Sequence, residues 1–353
     1  MKFSEAIVLF TPGFPADEND TACLPFLQDI VLAFNKMYPQ VKLVIIPFQY
    51  PFTDKEYDWK GNSIFPIGGK NRKGLQRILT WKRVWKQFLK VKEEYKINGI
   101  ISFWLTECAF IGQKLSSKYN IPVVAYLLGQ DAYKQNKYLK IINFNKLKVA
   151  AISENSSVIF QKSTGRNVTK VVITGLDKEM FAGGLTAKRD IDIMGAGSHI
   201  PLKNYSVFIE IVAWLIKNHF PDIKVVLTST GPETKMLNEL VDKYEIRHNF
   251  TFTGNIDYKE VIALMQRTKI FLHTSHREGY GAVIMEALYY GAVVVCMDIG
   301  RQPIEEKVFV CKDKEDIMKT ICNLLSQNLN YASLLVKDVK DTVVELMEML
   351  NEE

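Results

Sequence analysis

The amino-acid sequence predicts an α/β protein built from two doubly wound parallel sheets, each in its own domain. Three observations carry that reading. Short apolar runs rich in Val, Ile and Phe recur along the chain and alternate with helix-like stretches, as in parallel sheets whose strands are buried on both faces. The length of 353 residues, 47% hydrophobic and 24% charged, matches two globular domains of ordinary size. Glycine-bearing loops follow the strand-like runs at residues 5–10, 190–194 and 269–273, and open α/β sheets bind ligands at such strand-to-helix junctions.

Composition narrows the function classes. The longest apolar runs, such as residues 121–128, are too short to cross a bilayer, and the start MKFSEAIVLF lacks the basic region, apolar segment and cleavage site of a signal peptide, so a cytoplasmic protein is expected. Five scattered cysteines, Cys23, Cys108, Cys296, Cys311 and Cys322, without C-x-x-C spacing, argue against a disulfide framework and a zinc site. The net charge of +6 favours an anionic ligand or surface. No repeat or low-complexity tract is present, and no nucleic-acid partner is expected.

In the first half, residues 5–10 read as a strand running into the turn-rich loop TPGFPADENDTACLP and a helix over 25–36, with Asn19, Asp20 and Thr21 as candidate caps. A second strand spans 41–48 and an aromatic, Pro-containing loop spans 49–69. Next comes KNRKGLQRILTWKRVWKQFLKVK, residues 70–92, in which Lys70, Arg72, Lys73, Arg77, Lys82, Arg83, Lys86, Lys90 and Lys92 meet no acidic residue. Leu75, Ile78, Leu79, Trp85, Phe88 and Leu89 fall at helical spacing. Packing on the sheet would use that apolar face, leaving attraction to an anionic membrane to the lysines and arginines alone, or a merely solvated basic face. Strands follow at 98–104, 121–128 and 148–152. Gln130 and Asp131 emerge from the second of these as polar groups at a strand end, with a helix N-cap as the plainer role for Asp131. A helix over 153–163 and a strand over 168–174 complete the first domain, and the linker at 183–189 divides the chain into 1–185 and 186–353.

The second half opens with a strand at 190–194 and GAGSHIPLKNYSVF. Gly195 and Gly197 imitate part of a G-x-G-x-x-G fingerprint, but Ile200 replaces the third glycine and Pro201 delays the helix, which argues against NAD. A helix over 207–217, a strand at 224–229, the turn TGPE around Gly231, and a strand at 250–253 followed by Gly254 and Asn255 come next. The stretch KIFLHTSHREGYGAVIMEALYYGAVVVC, residues 269–296, parses as strand, loop, helix, strand. Gly279 and Gly281 punctuate the helix entry, where the amides of Gly279, Tyr280, Gly281, Ala282 and Val283 and the positive dipole end suit phosphate. Glu278 before the helix and Glu286 within it are acceptors for sugar hydroxyls on either side of that position. The plainer reading is a helix entry with two solvated glutamates.

Glu278 and Glu286, eight positions apart and enclosing GYGAVIM, resemble the E-x7-E signature of retaining family 4 glycosyltransferases of the GT-B fold. The likeness covers the C-terminal half and, more weakly, the N-terminal half. It implies two Rossmann-like domains facing a cleft, acceptor-side first and nucleotide-sugar donor second, with a terminal helix over 331–350 returning to the first. It implies that Lys203 in GSHIPLKN pairs with the donor diphosphate, that Glu278 binds the transferred sugar near its reacting carbon, and that Glu286 holds the ribose hydroxyls. Gly13 corresponds to a loop touching acceptor or diphosphate, Gly231 to the Gly-Pro-Glu turn beside the donor, Gly254 and Asn255 to the base-binding turn, and Asp131 to a sugar or acceptor contact. Two departures stand out: Leu128 occupies the place of a donor-binding histidine, and Ser198 that of a phosphate-pairing arginine.

The reaction implied is transfer with retention from a nucleotide-diphosphate sugar, with no cofactor and no metal, to a saccharide or lipid-linked acceptor in cell-surface polysaccharide or lipopolysaccharide synthesis. Asp190 and Asp192, the D-x-D pair of the opening strand, are not in a plausible metal loop. The rivals are a nucleotide-sugar epimerase of the same fold and a non-catalytic partner subunit.

Overall fold

A computed structural model describes residues 4–21, 23–181, 188–277, 281–298 and 307–352. The chain forms two units, residues 1–177 with 337–353, and residues 178–336. The division therefore falls at Asp177/Lys178, not at 185, and the last residues count with the first unit, because their hydrogen bonds and apolar contacts lie there.

The first unit runs β1 (Glu5–Gly13), α1 (Pro25–Met37), β2 (Lys42–Tyr50), β3 (Tyr57–Trp59), β4 (Asn62–Ile64), α2 (Leu75–Glu94), β5 (Lys96–Phe103), α3 (Glu107–Tyr119), β6 (Val123–Leu127), β7 (Lys148–Ala151), α4 (Glu154–Thr164) and β8 (Lys170–Val171). Its strands lie in the order β3-β4-β2-β1-β5-β6-β7-β8, parallel except for the β3–β4 pair. That short hairpin lies inside the stretch that reads from sequence as a loop. Its strands are three residues each and sit at the sheet edge, too short to show a period. The strand expected over 168–174 pairs only at Lys170–Val171. Asp20 does not cap α1, whose N-cap is Leu24. Its carboxylate instead accepts from the main chain of Ala16 and Cys23 and from the Tyr50 hydroxyl, folding the loop onto the end of β2.

The second unit runs β9 (Ile191–Gly195), α5 (Tyr205–Asn218), β10 (Val225–Leu227), α6 (Thr234–Lys243), β11 (Phe250–Phe252), α7 (Tyr258–Gln266), β12 (Thr268–His273), α8 (Ala282–Tyr289), β13 (Val293–Met297), β14 (Val308–Cys311) and α9 (Lys314–Leu325). Its strands lie in the order β11-β10-β9-β12-β13-β14 and every pairing is parallel. In chain order that is 3-2-1-4-5-6, so the crossovers reverse direction between β9 and β12, and loops leaving the carboxyl ends of those two strands border a crevice. Ile193, Leu227, Ile270, Leu272, Val293 and Val295 bury against Phe208, Ile209, Val212 and Ile321 of the covering helices. All five cysteines are free, and burial pushes their thiols above the usual range, so they pack as apolar side chains.

The terminal helix α10 (Val339–Asn351) belongs to the first unit. Its Val343, Leu346 and Met347 share an apolar pocket with Leu9, Ile30, Phe34, Ile101 and Phe103. Thr342 is fully buried; its hydroxyl donates to the Ile173 carbonyl and accepts from the Gly175 amide. Leu176 and Val339 add main-chain bonds with Lys337 and Leu176 in turn. A Cβ on Gly175 would stand 2.3 Å from the Asp338 carbonyl, so only glycine admits that approach. Gly175→Ala is expected to cost about 2–3 kcal/mol and lower the melting temperature of the first unit by roughly 5–10 °C in thermal scans.

The amino-terminal turns of α2 depart from expectation. Thr80, Val84, Phe88 and Val91 form its inner face. Leu75, Ile78 and Leu79, assigned from sequence to the packing face, are exposed. The helix is held in this rotation by buried Glu107, whose carboxylate accepts from Trp81 Nε1 (2.7 Å) and Gln49 Nε2 and pairs with Arg77 Nε (3.8 Å). Arg77 also donates to the Tyr138 hydroxyl.

Candidate active site

The site in the second unit is made by the loops after β9, β10, β11 and β12, which hydrogen bonds tie together at the carboxyl edge of the sheet. The loop after β9 passes Gly197, whose φ of +134° no L side chain favours, and ends in a single turn at Pro201–Lys203. Lys203 lies over Gly197, with Cε 3.3 Å from where a Cβ would sit, so the glycine makes room for the lysine. Ser198 is exposed. This loop bonds to the loop after β12: Thr274 Oγ1 donates to the Lys203 carbonyl (3.0 Å) and the His276 amide to the Leu202 carbonyl (3.0 Å). Lys203 thus sits at the reversal between β9 and β12. Beside it, fully buried Ser275 keeps its Oγ without a hydrogen-bond partner among the described residues, as groups awaiting a ligand do.

His199, a residue that sequence patterns do not single out, joins the loops after β9 and β10. It is fully buried, and its Nε2 meets the Thr228 carbonyl (3.1 Å), so Nε2 carries the proton. Nδ1 then accepts from Thr234 Oγ1 (2.9 Å), whose oxygen in turn accepts the Gly231 amide (2.8 Å). Main-chain bonds from the His199 amide to Thr230 and from the Glu233 amide to His199 close the staple. A Cβ on Gly231 would lie 2.4 Å from the His199 carbonyl, which fixes that position as glycine. No local pattern announces His199, because its partners lie about thirty residues away. Burial holds its imidazole below the usual range. The folded state therefore favours the neutral form, and stability present above pH 6.5, the ordinary value, is lost as the pH falls and the unfolded chain takes the proton first. The melting temperature should decline from pH 7 to 5 more steeply in the parent than in His199→Gln, measured by parallel scans.

Asn255 joins the loops after β10 and β11, its Oδ1 accepting from Ser229 Oγ (3.2 Å) and Thr230 Oγ1 (3.1 Å), while the Ser229 amide donates to the Gly254 carbonyl. Gly254 has a φ of +69° and open space around its Cα, so its backbone is accessible to a flat ligand.

Gly281 is the N-cap of α8, with a φ of +75° and no side-chain cap. Ala282 is exposed and Val283 half-buried in the first turn, so the dipole end is not filled by a capping side chain. Glu278, Gly279 and Tyr280 lie outside the described residues. Glu286, expected at a surface position, is half-buried: its Oε1 accepts from the Tyr258 hydroxyl (3.0 Å), and burial pushes its carboxyl up to about 7 against the pull of that bond.

Asp190 is bidentate to Arg267 (2.8 and 2.7 Å), and Asp192 takes Lys269 Nζ (2.7 Å) and the Lys224 amide (2.8 Å), so the D-x-D pair is committed to the sheet. Among the described residues no group of three or more His, Cys, Asp or Glu is placed to hold a metal.

In the first unit, Asp131 is buried in a single turn, and its carboxylate accepts the amides of Leu105 (2.6 Å) and Leu128 (3.1 Å), which follow β5 and β6. Burial pushes it up to about 6 despite those bonds. Asp131 thus ties two strand ends instead of capping a helix. Leu128 is half-buried beside it. Gly13 ends β1, paired with Tyr50, where a Cβ would make only ordinary contacts.

Residues 177–335, nearly the whole of the second unit, match the family model of group 1 glycosyl transferases. The second unit is a group 1 glycosyl transferase domain. Across 198 residues of this glycosyl transferase, the chain is 22% identical to part of human phosphatidylinositol N-acetylglucosaminyltransferase, covering 54% of this chain and 40% of that relative. The chain therefore spans less than half of that curated relative. Among solved structures, sucrose-phosphate synthase from Thermosynechococcus elongatus superposes with a TM-score of 0.72 at 16% identity, over 98% of this chain and 96% of that one. HepE of Anabaena, solved with UDP and glucose, gives 0.69 at 17% identity over 98% and 99%. These likenesses establish the fold, the two-domain α/β GT-B class expected from the sequence.

Proposed function

We propose that the protein is a retaining glycosyltransferase that moves a sugar from a nucleotide-diphosphate sugar to a saccharide or lipid-linked acceptor without a metal, in cell-surface polysaccharide or lipopolysaccharide synthesis. The observation that carries this reading is the meeting of the loops after β9 and β12, which puts Lys203 at the sheet reversal of a glycosyl transferase domain. Lys203 would face the diphosphate, joined by the uncapped end of α8 at Gly281, Ala282 and Val283, fixed donors where charge grows on the leaving group. Glu278 would bind the transferred sugar, Glu286 the ribose hydroxyls, and Gly254 with Asn255 the base. The commitment of Asp190 and Asp192 to basic partners supports charge neutralisation by lysine and amides. With Lys203 and amides meeting the leaving phosphate, that phosphate can take the acceptor proton, and no separate base is needed.

Donor and acceptor are narrowed by the relatives. HepE was solved with UDP and glucose, which makes a UDP-sugar the first donor to test, ahead of a GDP-sugar. The name of the human relative pairs N-acetylglucosamine transfer with phosphatidylinositol, which favours a lipid-linked acceptor at an inner membrane face. The basic stretch containing Lys70 and Lys92 would supply attraction to anionic headgroups there. The reading is tested by mixing protein, donor and acceptor in EDTA and recording the anomeric proton of the product by NMR. A product with the donor configuration supports it; an inverted product, or transfer only after a divalent cation is restored, overturns the corresponding part.

A further inference from the structure

The first turns of α2 point three apolar side chains into solvent. Leu75, Leu79 and Ile78 are 82%, 58% and 43% exposed, although α2 has a well-filled inner face of Thr80, Val84, Phe88 and Val91. The rotation is fixed: Trp81 and Arg77, on the inner side, are bound to buried Glu107, so the three cannot turn inward without breaking those bonds. At helical steps of three, four and seven, Lys82 and Lys86 follow them on the same face, and both are exposed. Exposed Lys70, Arg72 and Lys73 precede them. Arg83 pairs with Asp54 (2.8 Å), which brings alongside α2 the loop that carries Phe52, itself 56% exposed.

We propose that this end of α2 inserts into an anionic lipid bilayer, with Leu75, Ile78 and Leu79 entering the acyl boundary and Lys73, Lys82 and Lys86 lying at the headgroups. An apolar tip between cations is the arrangement of an interfacial helix, and the two contributions act together because a lysine stem reaches along an apolar surface while its ammonium stays at the phosphates. Nucleic acid would satisfy the cations and leave the leucines in water. This goes beyond electrostatic attraction by the basic residues, and it deepens the lipid-linked reading of the acceptor without depending on the chemistry of transfer.

The test is co-sedimentation of the full chain with vesicles of 30% phosphatidylglycerol in phosphatidylcholine, at 0.1 and 0.5 M NaCl. At the higher salt, charge attraction is largely screened and insertion remains. The parent is expected to bind at both. The triple change Leu75→Ser, Ile78→Ser and Leu79→Ser removes only exposed groups and should lower the partition coefficient by on the order of 30-fold at both salts. Lys82→Glu with Lys86→Glu should lower it by at least about 10-fold at 0.1 M, where each lost charge contributes most, and little at 0.5 M. As a second readout, Leu79→Trp places a fluorophore at the tip, and its emission should shift to the blue on adding the vesicles. Donor binding by calorimetry, followed in the same variants, should not change, which separates failure of this proposal from failure of the transferase reading. No vesicle binding by the parent, or a serine triple variant that binds like the parent at 0.5 M, overturns it, the latter leaving attraction by charge alone. Binding to vesicles of pure phosphatidylcholine as strong as to the anionic ones overturns the role given to the cations.

Discussion

Lys203→Ala is expected to lower kcat by ~10²–10³ and to leave the melting temperature nearly unchanged. If Ser198 replaces a phosphate-pairing arginine, Lys203 is the main side-chain cation at the diphosphate, and its removal leaves growing negative charge to backbone amides. Loss of one fixed electrostatic partner of this kind costs about that much in rate. Stability should hold because the lysine is half-buried on a loop whose shape depends on main-chain bonds of Leu202, Lys203 and His199, not on the ammonium. Ser198 is exposed, so Ser198→Arg can be accommodated and should partly restore turnover in the Lys203→Ala background. Turnover near the parent value in Lys203→Ala, measured under saturating donor, would remove the lysine from the leaving-group site.

Glu286→Ala is expected to weaken donor binding by about 10- to 100-fold, the loss of hydrogen bonds to a charged acceptor, roughly 1.5–3 kcal/mol. The burial of this carboxyl adds a pH dependence. With its carboxyl pushed up to about 7, Glu286 is ionised above that pH and protonated below it, and two hydroxyls need the ionised form to accept both bonds. Donor affinity should therefore rise from pH 6 to pH 8, falling by up to about tenfold per unit on the acid side, and the slope should vanish in Glu286→Gln. Calorimetric titration at pH 6, 7 and 8 decides. A flat parent profile would mean that the ribose contact is made elsewhere.

Much of this site is legible in the sequence, for reasons particular to each residue. Lys203 and the helix entry at Gly281 stand beside strands with strong apolar runs, and local chain direction alone carries both to the sheet edge. His199 is not legible, because its burial depends on Thr228 and Thr234, and a histidine between a serine and an isoleucine has no local signature. The burial of Glu286 is hidden for a similar reason: it depends on α7, from which Tyr258 reaches the carboxylate. In the first unit the period of α2 is plain in the sequence, but its use is not. Helical spacing says which residues share a face, whereas the packing of Glu107 against Trp81 and Gln49 decides which face turns inward and where the sheet stops covering it. The terminal helix returns to the first unit as expected; its seat depends on Gly175 and Thr342, whose partners are over a hundred and sixty residues apart in sequence.

The most direct measurement of the central claim is nucleotide release from UDP-sugars and GDP-sugars by the full chain in EDTA, with and without saccharide and lipid-linked acceptors. Release that rises with one donor only when an acceptor is present is the predicted result. Conversion of the donor to an epimer or a free sugar with no acceptor added would assign the fold to an epimerase, and no release with any donor and acceptor pair would make the chain a non-catalytic partner; either result would contradict the account.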